Sequence, residues 1–209
     1  MKQLFFVRHG QTEWNATKRM QGQWNSDLNE LGRNQSDAAG RLLAGQNIQA
    51  LYSSPLDRAR QTAEIVNRYL SLPIEYDDRL KEWDSGDWSG HLYSYVEATW
   101  PEDWAALSAD PYNYRGPNCE NYPDMIRRSR PFLDVLKTHP AQNIAIVSHG
   151  MIGKVMVSQL LGLDEAETLR IRQPNDAVFR ITLIDEAASA EHYAGGEGPF
   201  EGLASSSEN

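Results

Sequence analysis

Two tripeptides in this chain place a histidine in the same local setting: Arg8-His9-Gly10 near the start, and Ser148-His149-Gly150 much later. A histidine with a neutral ring and a fixed tautomer can act as a covalent nucleophile. An arginine beside it adds positive charge and a planar fork that matches phosphoryl oxygens, so the electrophile such a pair suits is phosphorus. Arg8 stands immediately before His9, and Gly10 lets backbone approach with no Cβ in the way. A second cation, Arg58, lies in Ser53-Ser54-Pro55-Leu56-Asp57-Arg58-Ala59-Arg60. There Ser54 is the predicted N-cap and Pro55 the predicted first residue of a helix, which puts Arg58 about one turn in. Phosphoryl transfer mostly requires positioning and stabilisation of charge on three equatorial oxygens. Two arginines and a protonatable second histidine supply that stabilisation in place of a metal ion, and a carboxyl group must protonate the leaving oxygen.

The elements that position these residues follow from the flanking sequence. The apolar runs Leu4-Phe5-Phe6-Val7 and Ile144-Ala145-Ile146-Val147 read as buried parallel strands, each ending at a histidine and a glycine. Ligands in open α/β sheets bind outside the carboxyl ends of strands, so the two histidines mark one site. Strands are predicted at 3–8, 50–53, 73–76, 143–147 and 177–184. Helices are predicted at 30–44, where Leu31, Ala38, Ala39, Leu42 and Leu43 form a stripe, and at 55–70, 121–138 and 150–162. Pro131 should bend or interrupt the third of these. Residues 91–120, rich in Trp, Tyr, Pro and Asn, read as a cap inserted over the cleft, with one short helix near 93–107. The fold class expected is α/β, a three-layer α/β/α sandwich with a mostly parallel central sheet. Residues 1–193 form the expected domain, and the Gly-, Ser- and Glu-rich stretch 194–209 reads as a loosely ordered tail.

The sequence resembles the histidine phosphatase superfamily in its phosphoglycerate mutase-like branch. The resemblance rests on Arg8-His9-Gly10-Gln11-Thr12-Glu13-Trp14-Asn15, Gln21-Gly22, the stretch from Ser53 to Ala63, Leu80-Lys81-Glu82-Trp83-Asp84-Ser85-Gly86, and Val147-Ser148-His149-Gly150. These blocks stand in the family's order over roughly residues 2–184. The resemblance implies that His9 becomes phosphorylated and that Arg8, Arg58, His149 and Asn15 form the phosphate pocket. It implies that Glu82 donates a proton to the leaving oxygen and later activates water; a neighbouring phosphate dianion favours its protonated form. Gly10, Gln11, Thr12, Gln21, Gly22 and Gly150 are implied substrate contacts. Gly150 follows His149 where the acid-phosphatase branch carries an aspartate, which supports Glu82 as the acid. Glu13 is the rival carboxylate and is expected at the rim. The activity implied is hydrolysis of a small phosphomonoester without metal or cofactor. Phosphoglycerate mutase is the alternative, and a non-enzymatic binding module a third. Cofactor-dependent mutases resemble this chain in the core but carry a longer insertion with an arginine pair. Here the insertion is short, its only basic side chains are His91 and Arg115, and Arg127-Arg128 reads as a solvated helix face.

The remaining residues have plainer readings. His91, His139 and His192 read as surface or loop residues, and Arg60 as a solvated cation. Trp100 and Trp104 are the tryptophans expected nearest the substrate. Cys119 stands where relatives carry a glycine, and it reads as small buried filler; with one cysteine there is no intramolecular disulfide. The net charge of −9 disfavours nucleic acid. No apolar run approaches the roughly 20 residues needed to cross a bilayer. Met1-Lys2 leads directly into a strand with no secretory signal, so a cytoplasmic location is expected. The partner expected is a small phosphorylated metabolite; nucleic acid and membrane are not expected, and a homodimer is left open.

Overall fold

The structure is a computed structural model and describes residues 1–204. In chain order the elements are β1 (Lys2–Arg8), α1 (Glu13–Ala16), α2 (Glu30–Ala44), β2 (Ala50–Ser53), α3 (Asp57–Leu70), β3 (Ile74–Tyr76), α4 (Tyr93–Thr99), α5 (Pro101–Ala109), α6 (Tyr122–Thr138), β4 (Asn143–Ser148), α7 (Gly150–Leu161), α8 (Glu165–Arg170), β5 (Ala177–Ile184), β6 (Ala187–Ala194) and β7 (Glu197–Glu201). The strands form one sheet in the order β3-β2-β4-β1-β5-β6-β7. The first four are mutually parallel, whereas β5, β6 and β7 join by antiparallel pairing. The sheet is therefore mixed, which corrects the mostly parallel arrangement expected.

Side-chain alternation along β1 builds the layers. Leu4 and Phe6 pack with Ile144, Ile146, Phe179 and Ile181 against Met125, Phe132 and Leu136 of α6 and Val155 and Met156 of α7. Phe5 and Val7 face the other way, with Ala145, Val147 and Leu51, against Leu43 of α2 and Ala59, Ala63 and Val66 of α3. Phe5 and Phe6 are buried. Truncating either to alanine would cost about 3–5 kcal/mol through lost burial and the cavity left behind. The β1–β4 register pairs Val7 with Val147 and Arg8 with Ser148, so the next residue of each strand, His9 and His149, emerges at the same carboxyl edge.

Several elements differ from the sequence reading, each for a local reason. Helix α3 starts at Asp57 after an extended Leu56, so Pro55 precedes the helix and Ser54 is not its cap. Helix α6 runs unbroken through Pro131, because buried Met125 and Ser129 before it and Phe132, Leu133 and Leu136 after it hold both halves on the sheet. The cap carries two helices rather than one; Trp100 leaves helical geometry before Pro101, whose ring disfavours a helical residue ahead of it. Helix α8 had no recognised signal. The expected tail is corrected as far as Glu201: Gly195 and Gly196, both at positive φ, form the two-residue turn of a β6–β7 hairpin. Residues 205–209 of that stretch lie outside the described residues. His192 accordingly lies in strand β6, not in a loop. Near Cys119 the left-handed residue is Asn118 (φ 55°), so the cysteine carries no such strain. Its thiol is pushed up to about 12 by burial and by Asp84, Asp87 and Asp103. Asn121 caps α6 as a capping box with Asp124.

Candidate active site

His9 is held as one tautomer. Its Nδ1 lies 2.8 Å from the Gly10 carbonyl oxygen, and a carbonyl only accepts, so Nδ1 carries the proton. Its Nε2 accepts from Arg58 Nε at 3.2 Å, which requires a lone pair on that nitrogen. Burial, then Arg58 and Arg8, push His9 well below the ordinary histidine range, so the ring is neutral near pH 7. The backbone around it is anchored: Asn175 Nδ2 donates to the His9 carbonyl (2.7 Å) and the Gly10 amide donates to Thr62 Oγ1 (3.1 Å). Gly10 itself is pressed against Gly32, where an added Cβ would lie 2.1 Å from the Gly32 carbonyl oxygen.

His149 faces His9, with ring centroids 5.1 Å apart. It is the N-cap residue of α7 and is fully buried. Its Nε2 lies 2.8 Å from Ser54 Oγ. That hydroxyl also accepts from the Leu56 amide (3.3 Å), and with a hydrogen and a second lone pair it can meet Nε2 in either tautomer of the ring. Nδ1 is buried and has no partner. Burial, with Arg58 and His9 next in weight, also holds His149 well below the ordinary range. Without a bound anion it is therefore neutral near pH 7.

The two arginines are locked from behind. Arg58 donates to the carbonyls of Trp24 and Gly22, both at 2.7 Å, which fixes the direction of its third donor toward His9. Burial lowers it to about 10, so it stays charged at neutral pH. Arg8 donates to the Gln173 carbonyl at 2.6 Å, while its buried Nε has no partner. Glu82 accepts three backbone N–H groups: Trp83 (2.9 Å), and Met151 (3.2 Å) and Ile152 (3.1 Å) in the first turn of α7. The carboxylate thereby occupies a helix N-terminus whose own cap residue, His149, makes no side-chain cap. Arg128 holds the chain beneath it, donating to the carbonyls of Arg79 and Lys81 (2.9 Å each) and Glu82 (3.3 Å). The same guanidinium grips both oxygens of Glu120 at 2.9 and 2.8 Å. Arg128 is thus a built-in strut, which corrects the solvated face read from sequence. Arg115 and Arg127 both pair with Asp124, at 2.5 and 2.6 Å.

These groups share one cavity of about 440 Å³. Arg8, His9, Asn15, Gln21, Gly22, Arg58, Glu82 and Gly150 line it, while His149 is beside His9 and is not part of the lining. Asn15 spends its Oδ1 on the capping box with Thr12, which leaves its NH₂ for the cavity. Gly10, Gln11 and Thr12 do not line it. Gln11 bonds Asn29 and Gln35, and Thr12 caps α1. Glu13 is exposed in the first turn of α1 and is also absent from the lining. Trp100 and Trp104 pack with Trp88 and Val96 inside the cap, and the tryptophans that reach the cavity are Trp14 and Trp83. Sequence reasoning missed Lys154, Arg172, Tyr93 and Gln173 in the lining. Lys154 had a usable signal, since it lies four residues after Gly150 on one helix face; the others had none. Among the described residues, no group of three or more His, Cys, Asp or Glu is placed to hold a metal ion. No helix among them is long and apolar enough to cross a membrane.

The family model of the histidine phosphatase superfamily (branch 1) matches residues 4–194, and the chain belongs to that superfamily. A phosphoserine phosphatase 1 from Hydrogenobacter thermophilus is 34% identical over 165 residues, covering 78% of each chain. A protein named as a probable phosphoglycerate mutase from Erwinia tasmaniensis is 36% identical over 183 residues, covering 87% of this chain and 85% of its own length. Among solved structures, a mycobacterial glucosyl-3-phosphoglycerate phosphatase superposes with a TM-score of 0.79 at 30% identity, covering 87% of this chain and 93% of that one.

Proposed function

We propose that this protein is a cytoplasmic phosphatase that hydrolyses a small phosphomonoester through a phosphohistidine on His9, without a metal ion or cofactor. The observation that carries the reading is the fixed tautomer of His9, with the Nε2 lone pair beside Arg58. Nε2 attacks phosphorus as the bond to the leaving oxygen breaks, and Glu82 hands that oxygen a proton. Arg8, Arg58, the Asn15 amide and His149 donate to the three equatorial oxygens. The phosphate charge offsets the burial and the arginines that hold His149 neutral, which favours its protonation. Water then attacks the phosphohistidine, gives its proton to Glu82, and phosphate leaves.

Trapping tests this directly. Acid-labile phosphate should appear on the wild-type peptide containing His9 after rapid quench, and a folded His9→Ala variant should lose both label and nearly all turnover. Full turnover in folded His9→Ala protein would end the mechanism. Similarity to the probable mutase keeps phosphoryl return to a hydroxy acid as the second reading. Against it, Arg115 and Arg127 are clamped on Asp124 and do not line the cavity. Formation of 2-phosphoglycerate from 3-phosphoglycerate, followed by NMR, separates the two.

A further inference from the structure

The cavity holds more positive charge than a phosphoryl group requires. Arg8, Lys18, Arg19, Arg58, Lys154 and Arg172 line it, against the single carboxylate Glu82. Arg8 and Arg58 belong to the phosphoryl end beside His9. Arg19 is committed to the Gly90 carbonyl and to the face of Trp14. The side chains of Lys154 and Arg172 donate no hydrogen bond to any described residue, and Lys154 has only the face of Tyr122. Neither takes part in any ion pair among the described residues. The Lys154 ammonium sits 5.7 Å from the Tyr122 ring centroid. Burial and the nearby Arg172 lower it to about 8, against the opposing pull of Glu82. A largely buried, unpaired ammonium is unfavourable unless something neutralises it.

We propose that Lys154 and Arg172 form a second anion subsite in this cavity, which takes a carboxylate carried by the substrate. The preferred substrate is then a phosphorylated hydroxy or amino acid, not an otherwise neutral phosphomonoester. The proposal deepens the phosphatase reading and rests on it. Helix α7 gives the arrangement its reach: Gly150, Met151 and Lys154 line the same cavity from one helix, so the subsite is continuous with the phosphoryl end. A carboxylate fits better than a second phosphate. Glu82 lies close enough to act on the charge of Lys154, so a dianion placed there would be repelled more than a monoanion. A guanidinium fork also matches a carboxylate edge.

The test compares 3-phosphoglycerate with glycerol 3-phosphate, in which a CH₂OH replaces the carboxylate. The wild-type enzyme should favour 3-phosphoglycerate in kcat/KM by about 10- to 100-fold, the scale of hydrogen bonds to a charged group. Lys154→Met should bring that ratio close to one, and Arg172→Met should lower it less, because Arg172 is the more exposed. Calorimetric binding of the same two compounds to His9→Ala protein reads the subsite without turnover and should show the same preference. A ratio near one in wild type, or one unchanged in Lys154→Met, overturns the subsite. So does tighter binding of 1,3-propanediol bisphosphate than of 3-phosphoglycerate. Hydrolysis of p-nitrophenyl phosphate is the separate control for the phosphatase reading. If it is absent, that reading fails, while the binding preference still decides the subsite.

Discussion

Arg128→Met removes a side chain that never enters the cavity, yet it should slow the step that uses Glu82. The guanidinium joins five acceptor atoms: both Glu120 oxygens and the carbonyls of Arg79, Lys81 and Glu82. Charged hydrogen bonds contribute about 1.5–3 kcal/mol each, but these do not sum. The side chain is 21% exposed, so water replaces part of what is lost. A net loss of about 2–4 kcal/mol is expected, left mainly by carbonyls with no new donor. For a chain of this length that lowers Tm by about 5–15 °C. The catalytic effect comes from the freed Glu82 backbone, because general acid help of about 10²–10⁴-fold depends on where the carboxyl sits. We expect about a 10-fold drop in the phosphorylation rate for an alkyl phosphate, and less than about threefold for p-nitrophenyl phosphate. Rapid-quench kinetics well below the new Tm reads the difference, and Arg128→Lys should recover little, since an ammonium cannot span all five acceptors. Equal slowing of both substrates, or a lowered Tm with the alkyl rate intact, would reduce Arg128 to a folding element.

Glu82→Gln should slow phosphorylation by alkyl phosphates about 10²–10⁴-fold and leave the aryl substrate's first step far less affected; equal losses in rapid-quench bursts would remove Glu82 as proton donor. Ser54→Ala should leave His149 without the one side-chain hydrogen bond that holds its ring and so free the ring to turn. Turnover should fall about 10-fold with Tm nearly unchanged, and Ser54→Thr should restore it; failure of rescue together with a lowered Tm would make Ser54 structural. Stability should decline on acidification from about pH 6.5 downward. His9 and His149 titrate below their unfolded values, so across that window the unfolded chain binds two protons that the folded chain does not. The slope from this pair approaches about 2.7 kcal/mol per pH unit. Urea midpoints of wild type and a His9→Asn/His149→Asn variant check it, and parallel pH slopes would refute it.

What the sequence made legible was whatever has a short-range physical signature. The apolar runs before His9 and His149 placed the central strands because continuous burial leaves no polar residue in them. Helix α2 has both ends where they were expected, at Glu30 and Ala44, but its buried face is Gly32, Ser36, Gly40 and Leu43, so the apolar stripe misjudged the face and Leu31 and Ala38 lie exposed. Ser54 shows where such reasoning misleads: its composition and place before Pro55 suit a cap, but its hydroxyl goes to a histidine 95 residues away. Gly195-Gly196 was read as looseness, when the same pair also suits the two positive φ angles of a two-residue hairpin turn. Arg128 was invisible for a third reason. On a helix it looks like any other surface cation, and the loop carrying Glu82, folded against it from far upstream, supplies three of its five acceptors while Glu120 supplies the other two.

The anchoring of His9 by Asn175, and of Arg8 by Gln173, has a consequence for the order in which the molecule becomes active. His9 follows β1, and that strand cannot be flanked until β4 and β5 exist, more than a hundred residues later in the chain. Pairing across such a separation is slow, because the loop must close before any contact rewards it. A growing chain therefore carries Arg8 and His9 for more than a hundred residues before the strands that flank them are available. The pocket around His9 is closed only when Gln173, Asn175 and β5 are in place, so the site and the centre of the sheet are completed together.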